Sequence, residues 1–455
     1  MKKHLLLGIL SFSAFCGLSS PVSADYPIAS HRYLADPGAL VHDGRVYLYC
    51  SNDDDNPVEG GYKIRSVVCV SSSDMKNWTD HGVVFSAPEG ADWARNTWAP
   101  SPIERDGKFF LYFGNGGNGI GVASSATPTG PFKDAKGSKL ITNETPGVMP
   151  AEKMWLFDPM AFIDDDGQAY LYFGGNGENN IRVIKLKRDM IKVDGPATSM
   201  FAKGFFEAAW MHKYNGVYYF SYSTNPQNGM RIDYLKSDKP TTGFTYGGIL
   251  AGQPPINNNN NHQAIFNFKG QWYEAYHNRA AAKDAGIPGG FKRNLALEYF
   301  NHKADGSIEQ VTFTPDGVPQ VAPLNPYQAR VEAETMNAQK GIKTQVSNAG
   351  GMNVCDIDNG DWIKVKGVDF GVSGAKRFTA SVASAKSGGK IELRLGSPEG
   401  KLIGVCEVPI TGGDQTWKSA TCSVTDAQGV QDLYFKFVGT APSMLNIDWW
   451  QFSTQ

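Results

Sequence analysis

Runs of bulky apolar residues bounded by polar turns recur through the first two thirds of the chain, and five of them share one form. They read Asp43-Gly44-Arg45-Val46-Tyr47-Leu48-Tyr49, Asp106-Gly107-Lys108-Phe109-Phe110-Leu111-Tyr112, Asp166-Gly167-Gln168-Ala169-Tyr170-Leu171-Tyr172, Asn215-Gly216-Val217-Tyr218-Tyr219-Phe220 and Lys269-Gly270-Gln271-Trp272-Tyr273. Each is a hairpin signature: glycine takes the positive φ of a tight turn, and aromatic and β-branched residues suit a pleated surface. The spacing of the glycines, at 44, 107, 167, 216 and 270, fits one four-stranded blade per repeat. It predicts a five-bladed β-propeller. A plain β-sandwich is the competing fold, because hairpin signals do not specify closure.

The pattern changes after Ile308, where Pro315, Pro319, Pro323 and Pro326 punctuate a polar stretch that reads as strand ends and a linker. From Val331 onward, alternating runs such as Arg377 to Val382 and Lys390 to Leu395 are separated by short Gly/Ser/Asp turns, as in a small β-sandwich of jelly-roll type. The predicted class is therefore all-β: a signal segment at 1–24, a propeller at 25–327 and a sandwich at 328–455. The Asn257 to Asn261 run reads as a loop entering a strand.

Composition narrows the classes of function. A chain of 455 residues, 41% hydrophobic, is long enough for two cores. A formal net charge of -2 gives no field for polyphosphate, so nucleic acid is not an expected partner. Lys2 and Lys3, the apolar Leu5 to Leu18 and the small residues Val22-Ser23-Ala24 form an export signal, with cleavage expected near Ala24. That apolar run is shorter than the ~20 residues a membrane span needs, so no membrane partner is expected. Five cysteines follow it. Cys406 with Cys422 is the first choice of disulfide, Cys50 with Cys69 the second, and Cys355 is left over. No Cys/His spacing suggests zinc.

The candidate chemistry lies eight or nine residues before each hairpin glycine, where the leading strand of each blade should begin. Those positions read Asp36-Pro37, Trp98-Ala99-Pro100, Asp158-Pro159, Glu207-Ala208 and His262-Gln263. In a propeller they converge on the axis, and three acids gathered there are electrostatically costly unless used. Glycosidic cleavage uses such a set: one carboxylic acid protonates the leaving oxygen and one carboxylate activates water. Glu207, set among apolar neighbours, is the expected acid, Asp36 the base, and Asp158 the like charge that raises the pKa of Glu207. Structural alternatives are an Asp36-Pro37 turn, an Asp158–Arg293 ion pair, a core role for His262, and core packing for Trp210 and Trp98.

Ala35-Asp36-Pro37, Trp155-Leu156-Phe157-Asp158-Pro159 leading to Asp164-Asp165-Asp166-Gly167, Phe206-Glu207-Ala208 with Trp210-Met211-His212-Lys213, and Asn261-His262-Gln263 together resemble glycoside hydrolase family 43 over residues 28 to 320. The resemblance implies a five-bladed propeller and an inverting mechanism with the same three roles. It also implies that His262 organises the axis, in some members near a metal ion, and that Arg293 contacts substrate. If the reaction inverts, Asp36 and Glu207 should stand about 6.5 to 9.5 Å apart.

In the second segment, alternation puts Glu332 and Glu334 on one face, which calls for a cation such as calcium or for basic partners. Asn353 to Trp362, Gln415-Thr416-Trp417 and Asn446-Ile447-Asp448-Trp449 resemble a family 6 carbohydrate-binding module. That implies a structural calcium held by Glu332, Glu334 and Asp448, and a cleft where Trp417 stacks on sugar and Asn446 hydrogen-bonds it. Asp356 stands where many such modules have a second stacking aromatic. The expected protein is a secreted monomer that removes α-L-arabinofuranosyl units from arabinoxylan-type plant cell-wall polysaccharide. β-D-Xylosidase action on xylo-oligosaccharides is the close alternative, with an endo-arabinanase and a non-catalytic glycan-binding propeller as further readings.

Overall fold

Almost every regular element is a strand, as the alternating runs require. The protein, a computed structural model, is described at residues 27–151, 153–224, 229–257 and 259–455; the expected signal segment lies outside them. Five antiparallel sheets follow one another in the first 300 residues. Their strands are Leu34–His42, Arg45–Asn52, Ser66–Ser72 and Trp78–Ser86; Trp98–Arg105, Lys108–Gly114, Ile120–Ser125 and Lys133–Asp134; Met160–Ile163, Ala169–Phe173, Ile181–Leu186 and Thr198–Met200; Phe205–Tyr214, Val217–Thr224, Ile232–Ser237 and Thr245–Ala251; then Gln263–Phe268, Gln271–Asn278 and Asn294–Phe300. Within each sheet, neighbours in sequence are neighbours in space.

Four of the five hairpin turns have positive φ at both central residues: Asp43/Gly44, Asp106/Gly107, Asn215/Gly216 and Lys269/Gly270. That backbone twist matches the twist of the strands it joins, which is why these dipeptides announce hairpins. The leading strands, Leu34–His42, Trp98–Arg105, Met160–Ile163, Phe205–Tyr214 and Gln263–Phe268, pack each against the next, and the fifth packs against the first. Gly38 permits the closest of these approaches, since a Cβ there would collide with the Pro100 carbonyl oxygen.

Residues after Val331 build two further sheets around a separate apolar core that includes Phe378, Phe435, Trp450 and Phe452. One strand of this segment leaves its own sheets. Thr335–Met336 pairs with Trp78–Ser86 and becomes the outer strand of the first sheet. Around that joint, the buried Asp80 carboxylate accepts hydrogen bonds from Arg32 Nε at 2.6 Å and Thr344 Oγ1 at 2.7 Å. Asn77 exchanges hydrogen bonds with the backbone of Lys366.

The expected disulfides are not formed; all five cysteines from Cys50 onward are free thiols. Cys50 pairs with Val68 and Cys69 with Tyr49 across adjacent strands, so their side chains leave opposite faces of the sheet and enter different apolar clusters. Cys406 and Cys422 do face each other, and they interact as thiols.

Candidate active site

The leading strands do not begin smoothly. Register shifts interrupt the ladders at Asp36, Ala99 and Ala208, and these residues and Asp158 have positive φ between 44° and 60°. A bulge of this kind re-aims side chains at the end of a strand, and its backbone strain persists only where the surroundings enforce it. The positive-φ residues mark equivalent positions as Asp36, Ala99, Asp158 and Ala208, so Glu207 and Trp98 enter one residue earlier than the two aspartates. The even ring expected from the hairpin spacing is therefore staggered. Its three acids still share one cavity.

That cavity measures about 410 Å³, and Asp36, Asp158, Glu207, His262, Arg293 and Trp98 all line it. Tyr62, Trp155, Phe157 and Phe206 complete an aromatic wall, with Gly116, Gly117 and Asn260 at the rim. This combination of apolar walls and a few convergent polar groups is that of a small-ligand pocket. Trp210 is core, with its indole N–H donating to the Ile265 carbonyl at 2.9 Å.

Arg293 is the centre of the charge network. Its guanidinium donates to both oxygens of Asp36, at 2.6 and 3.1 Å, and through Nε and Nη2 to Asp53 at 2.7 and 2.9 Å. The anticipated structural pair with Asp158 is not made; the fork goes to Asp36 and Asp53 instead. Tyr62 stacks on the guanidinium at 4.6 Å. His277, fully buried, accepts a hydrogen bond from the Asp36 backbone N–H through Nδ1 at 3.2 Å, which leaves Nε2 to donate to the Asn260 carbonyl at 2.9 Å. His262 Nδ1 stands 3.8 Å from Asp36 and 3.7 Å from Asp158, and burial lowers its pKa to about 4, so the ring is neutral at pH 7.

The three acids have divergent proton affinities. Burial alone would raise Asp36, but the Arg293 cation, joined by His277, His262 and a hydrogen bond from Ser51, outweighs it and holds the carboxyl well below the ordinary range. Asp158 lacks such a direct partner. Burial and then the charge of Asp36 push it up to about 8. Glu207 is raised well above its usual value by burial, then by Asp158 and Asp36. Asp158 and Glu207 titrate as a pair. Asp158 accepts the Ala208 N–H at 3.1 Å, whereas Glu207 Oε1 is buried with no partner, so the shared proton belongs on Glu207.

Asp53 and His277 were missed in the sequence. Asp53 sits in an Asp53–Asp55 turn after a strand and His277 near the end of another, and both reach the site across more than 200 residues. The signal that could have found Asp53 is its acidic run beside a predicted inner strand.

In the second segment, Trp417 lies in the bulged stretch opposite Ala383, and Asn446 pairs with Ala383 from the other side. Both are engaged: Trp417 Nε1 donates to Asn348 and Asn446 Nδ2 to the Asp414 carbonyl. Asp356 is exposed and pairs with Lys343 at 3.5 Å. Of the expected calcium ligands, Glu332 is held by Arg330 at 2.7 Å, while Glu334 Oε2 and Asp448 Oδ1 are buried with no hydrogen-bond partner. Among the described residues no three His, Cys, Asp or Glu side chains are grouped as a metal centre. Two orphaned carboxylate oxygens nevertheless fit a hard cation whose remaining ligands are backbone carbonyls or water.

Comparison with known proteins places this geometry. Residues 24–319 match the model of glycosyl hydrolases family 43, and residues 332–454 match that of the family 6 carbohydrate binding module. An arabinoxylan arabinofuranohydrolase of Bacillus subtilis is 41% identical over 99% of this chain and 97% of its own. One of Paenibacillus polymyxa is 42% identical over 94% of this chain and 74% of its own. A crystal structure of a family 43 arabinoxylan arabinofuranohydrolase from Bacillus subtilis, in complex with cellotetraose, superposes with a TM-score of 0.88 at 40% identity, covering 95% of this chain and 98% of that one.

Proposed function

The chain belongs to glycosyl hydrolases family 43, and from that premise we propose that it is a glycosidase releasing α-L-arabinofuranosyl units from arabinoxylan, with inversion. The observation that carries the reading is one cavity in which both oxygens of Asp36 accept from the Arg293 guanidinium while Glu207 stands buried with an unpartnered oxygen, an arrangement that favours an ionised Asp36 and a protonated Glu207. Glu207 gives its proton to the glycosidic oxygen as the bond to the anomeric carbon breaks. Asp36 takes a proton from the water that forms the new bond on the opposite face. Asp158, held in place by the Ala208 N–H, raises the proton affinity of Glu207. His262, Trp98 and Arg293 shape the pocket around the sugar.

The five sheets are the blades of a propeller, a reading supported by the cyclic packing of the leading strands. The two later sheets form a β-sandwich, with the domain boundary at residues 327 and 328. Calcium bound through Glu334 and Asp448, with Glu332 at its edge, would neutralise their buried charge and fasten the two ends of the module together. The substrate is cell-wall polysaccharide, met outside the cytoplasm after loss of the segment ending at Ala24. No step of the mechanism uses an ion beside His262.

Product chromatography tests the reading. Wild type should release arabinose from arabinoxylan and Glu207→Ala should not. Xylose alone from xylo-oligosaccharides would move the assignment to β-xylosidase, and glycan binding with no release by either protein would defeat catalysis altogether.

A further inference from the structure

A second cavity, of about 670 Å³, is lined by residues that follow the last strand of the third sheet and by residues of the fourth. Two aromatic rings on it are left largely in water: Phe201 is 57% and Tyr246 56% exposed. Neither ring buries much of its apolar surface on folding, although the Tyr246 hydroxyl is engaged. Between them lies a polar floor. The Asp233 carboxylate is buried and accepts from Arg231 Nε at 2.6 Å and Nη2 at 3.1 Å, and from the Tyr246 hydroxyl at 3.3 Å. The pair uses two of the five guanidinium N–H donors of an Arg231 whose side chain is 36% exposed.

Position decides what could occupy this cavity. Gly204 lines it, while Phe206 and Glu207 line the active-site pocket. Gly204 ends a turn and Phe206 stands two residues on, so their Cα atoms lie no more than about 7 Å apart, with the core residue Phe205 between them in the chain. A polymer with one sugar in the pocket must leave over some part of that rim. Pyranose units offer an apolar C–H face to aromatic rings and a rim of hydroxyls to charged donors and acceptors, which matches exposed rings flanking an Arg–Asp floor.

We propose that this second cavity is a remote subsite for the polysaccharide backbone, with Phe201 and Tyr246 as stacking platforms and Arg231 as the hydroxyl donor. The proposal rests on the polymer-directed reading above and extends it to a site outside the catalytic pocket. It requires the rings to matter for long substrates and to be irrelevant for short ones.

The test uses the full chain as Phe201→Ala, Tyr246→Ala and the double variant. Kinetics are measured on soluble arabinoxylan and on an aryl α-L-arabinofuranoside too short to reach the cavity. Each single variant should raise KM on the polymer about 2- to 10-fold, the order expected of one aromatic contact, with the aryl substrate and Tm unchanged. An unchanged polymer KM, or equal losses on both substrates, overturns the subsite. Retardation in native gels containing arabinoxylan reads the same comparison without turnover. If wild type hydrolyses neither substrate, the hydrolase reading fails, and the gel shift of the double variant still decides the subsite. Wild-type self-association that the variants abolish, with polymer retardation intact, would assign the rings to a protein contact and also overturn it.

Discussion

Replacing Arg293 by Met removes the cation that keeps Asp36 ionised, and the structure supplies an internal reference for the outcome. Asp158 is as deeply buried as Asp36 and takes the matching positive-φ position just before its strand, but it has no guanidinium against it, and burial and then the charge of Asp36 push it up to about 8. Without Arg293, the Asp36 carboxyl should climb from below the usual carboxylate range towards that value, since the largest opposition to burial is gone and only His277, His262 and Ser51 remain. The base must be ionised to act, so activity rises as pH rises through its pKa. In wild type that rise lies below the ordinary carboxylate range. In Arg293→Met it should move up by several pH units, and with a base near 8 only about one molecule in a hundred is competent at pH 6. We expect kcat/KM there to fall by up to ~100-fold and to recover about tenfold per pH unit. The alkaline limb shifts the same way, because Arg293 also restrains Glu207 and Asp158. Uncovering two buried carboxylates should cost about 3–5 kcal/mol of stability, so a melting curve accompanies each profile. Arg293→Lys keeps the charge without the fork and should move the acid limb less. An acid limb of Arg293→Met that coincides with wild type would refute this account of Asp36.

Other consequences follow from groups around and beyond the pocket. Glu207→Ala should lose about 10²- to 10⁴-fold in turnover on arabinoxylan yet recover much of it on an aryl glycoside whose leaving group needs no proton; equal losses on both would remove Glu207 as the acid. Glu274 is buried opposite Glu298, and burial and then that neighbour push it up to about 8. Its folded pKa exceeds the unfolded value, so its favourable contribution is present at low pH and is lost as pH climbs from about 4.5 to 8. Glu274→Gln should thus melt with wild type near pH 5 and several degrees higher at pH 8.5; a lower Tm at pH 8.5 contradicts the assignment. A chelator should lower the wild-type Tm and added calcium restore it, while Glu334→Gln should respond to neither; identical responses of the two proteins would remove the cation from Glu334.

What could be read in advance was local. Asp-Gly and Asn-Gly turns signal themselves because the positive φ they need is a property of two adjacent residues, and strand starts follow at a fixed offset. That offset carried Asp36, Asp158 and Glu207 into one pocket without any long-range information. It could not register the bulges at Asp36, Ala99 and Ala208, or that the acid of the fourth sheet stands one residue before its positive-φ position while Asp36 and Asp158 occupy theirs. Nor could it place Asp53 or His277, whose roles exist only once distant strands meet around Arg293. The cysteine error has the same origin: whether Cys50 and Cys69 share a face depends on the pairing register, which their spacing leaves open.

The Thr335–Met336 strand has a bearing on how this protein could be divided. An outermost strand bares a row of unpaired amide and carbonyl groups, and here the neighbouring module covers the start of that row, at Trp78 and Thr79, with its own backbone. Cutting the gene at the linker would therefore strip the catalytic half of a seam and bare the buried Asp80 carboxylate, inviting the severed edges to stick to other molecules. Left whole, the module is no ball on a string: backbone pairing and the hydrogen bonds at Asp80 and Asn77 tie it to the half that carries the pocket.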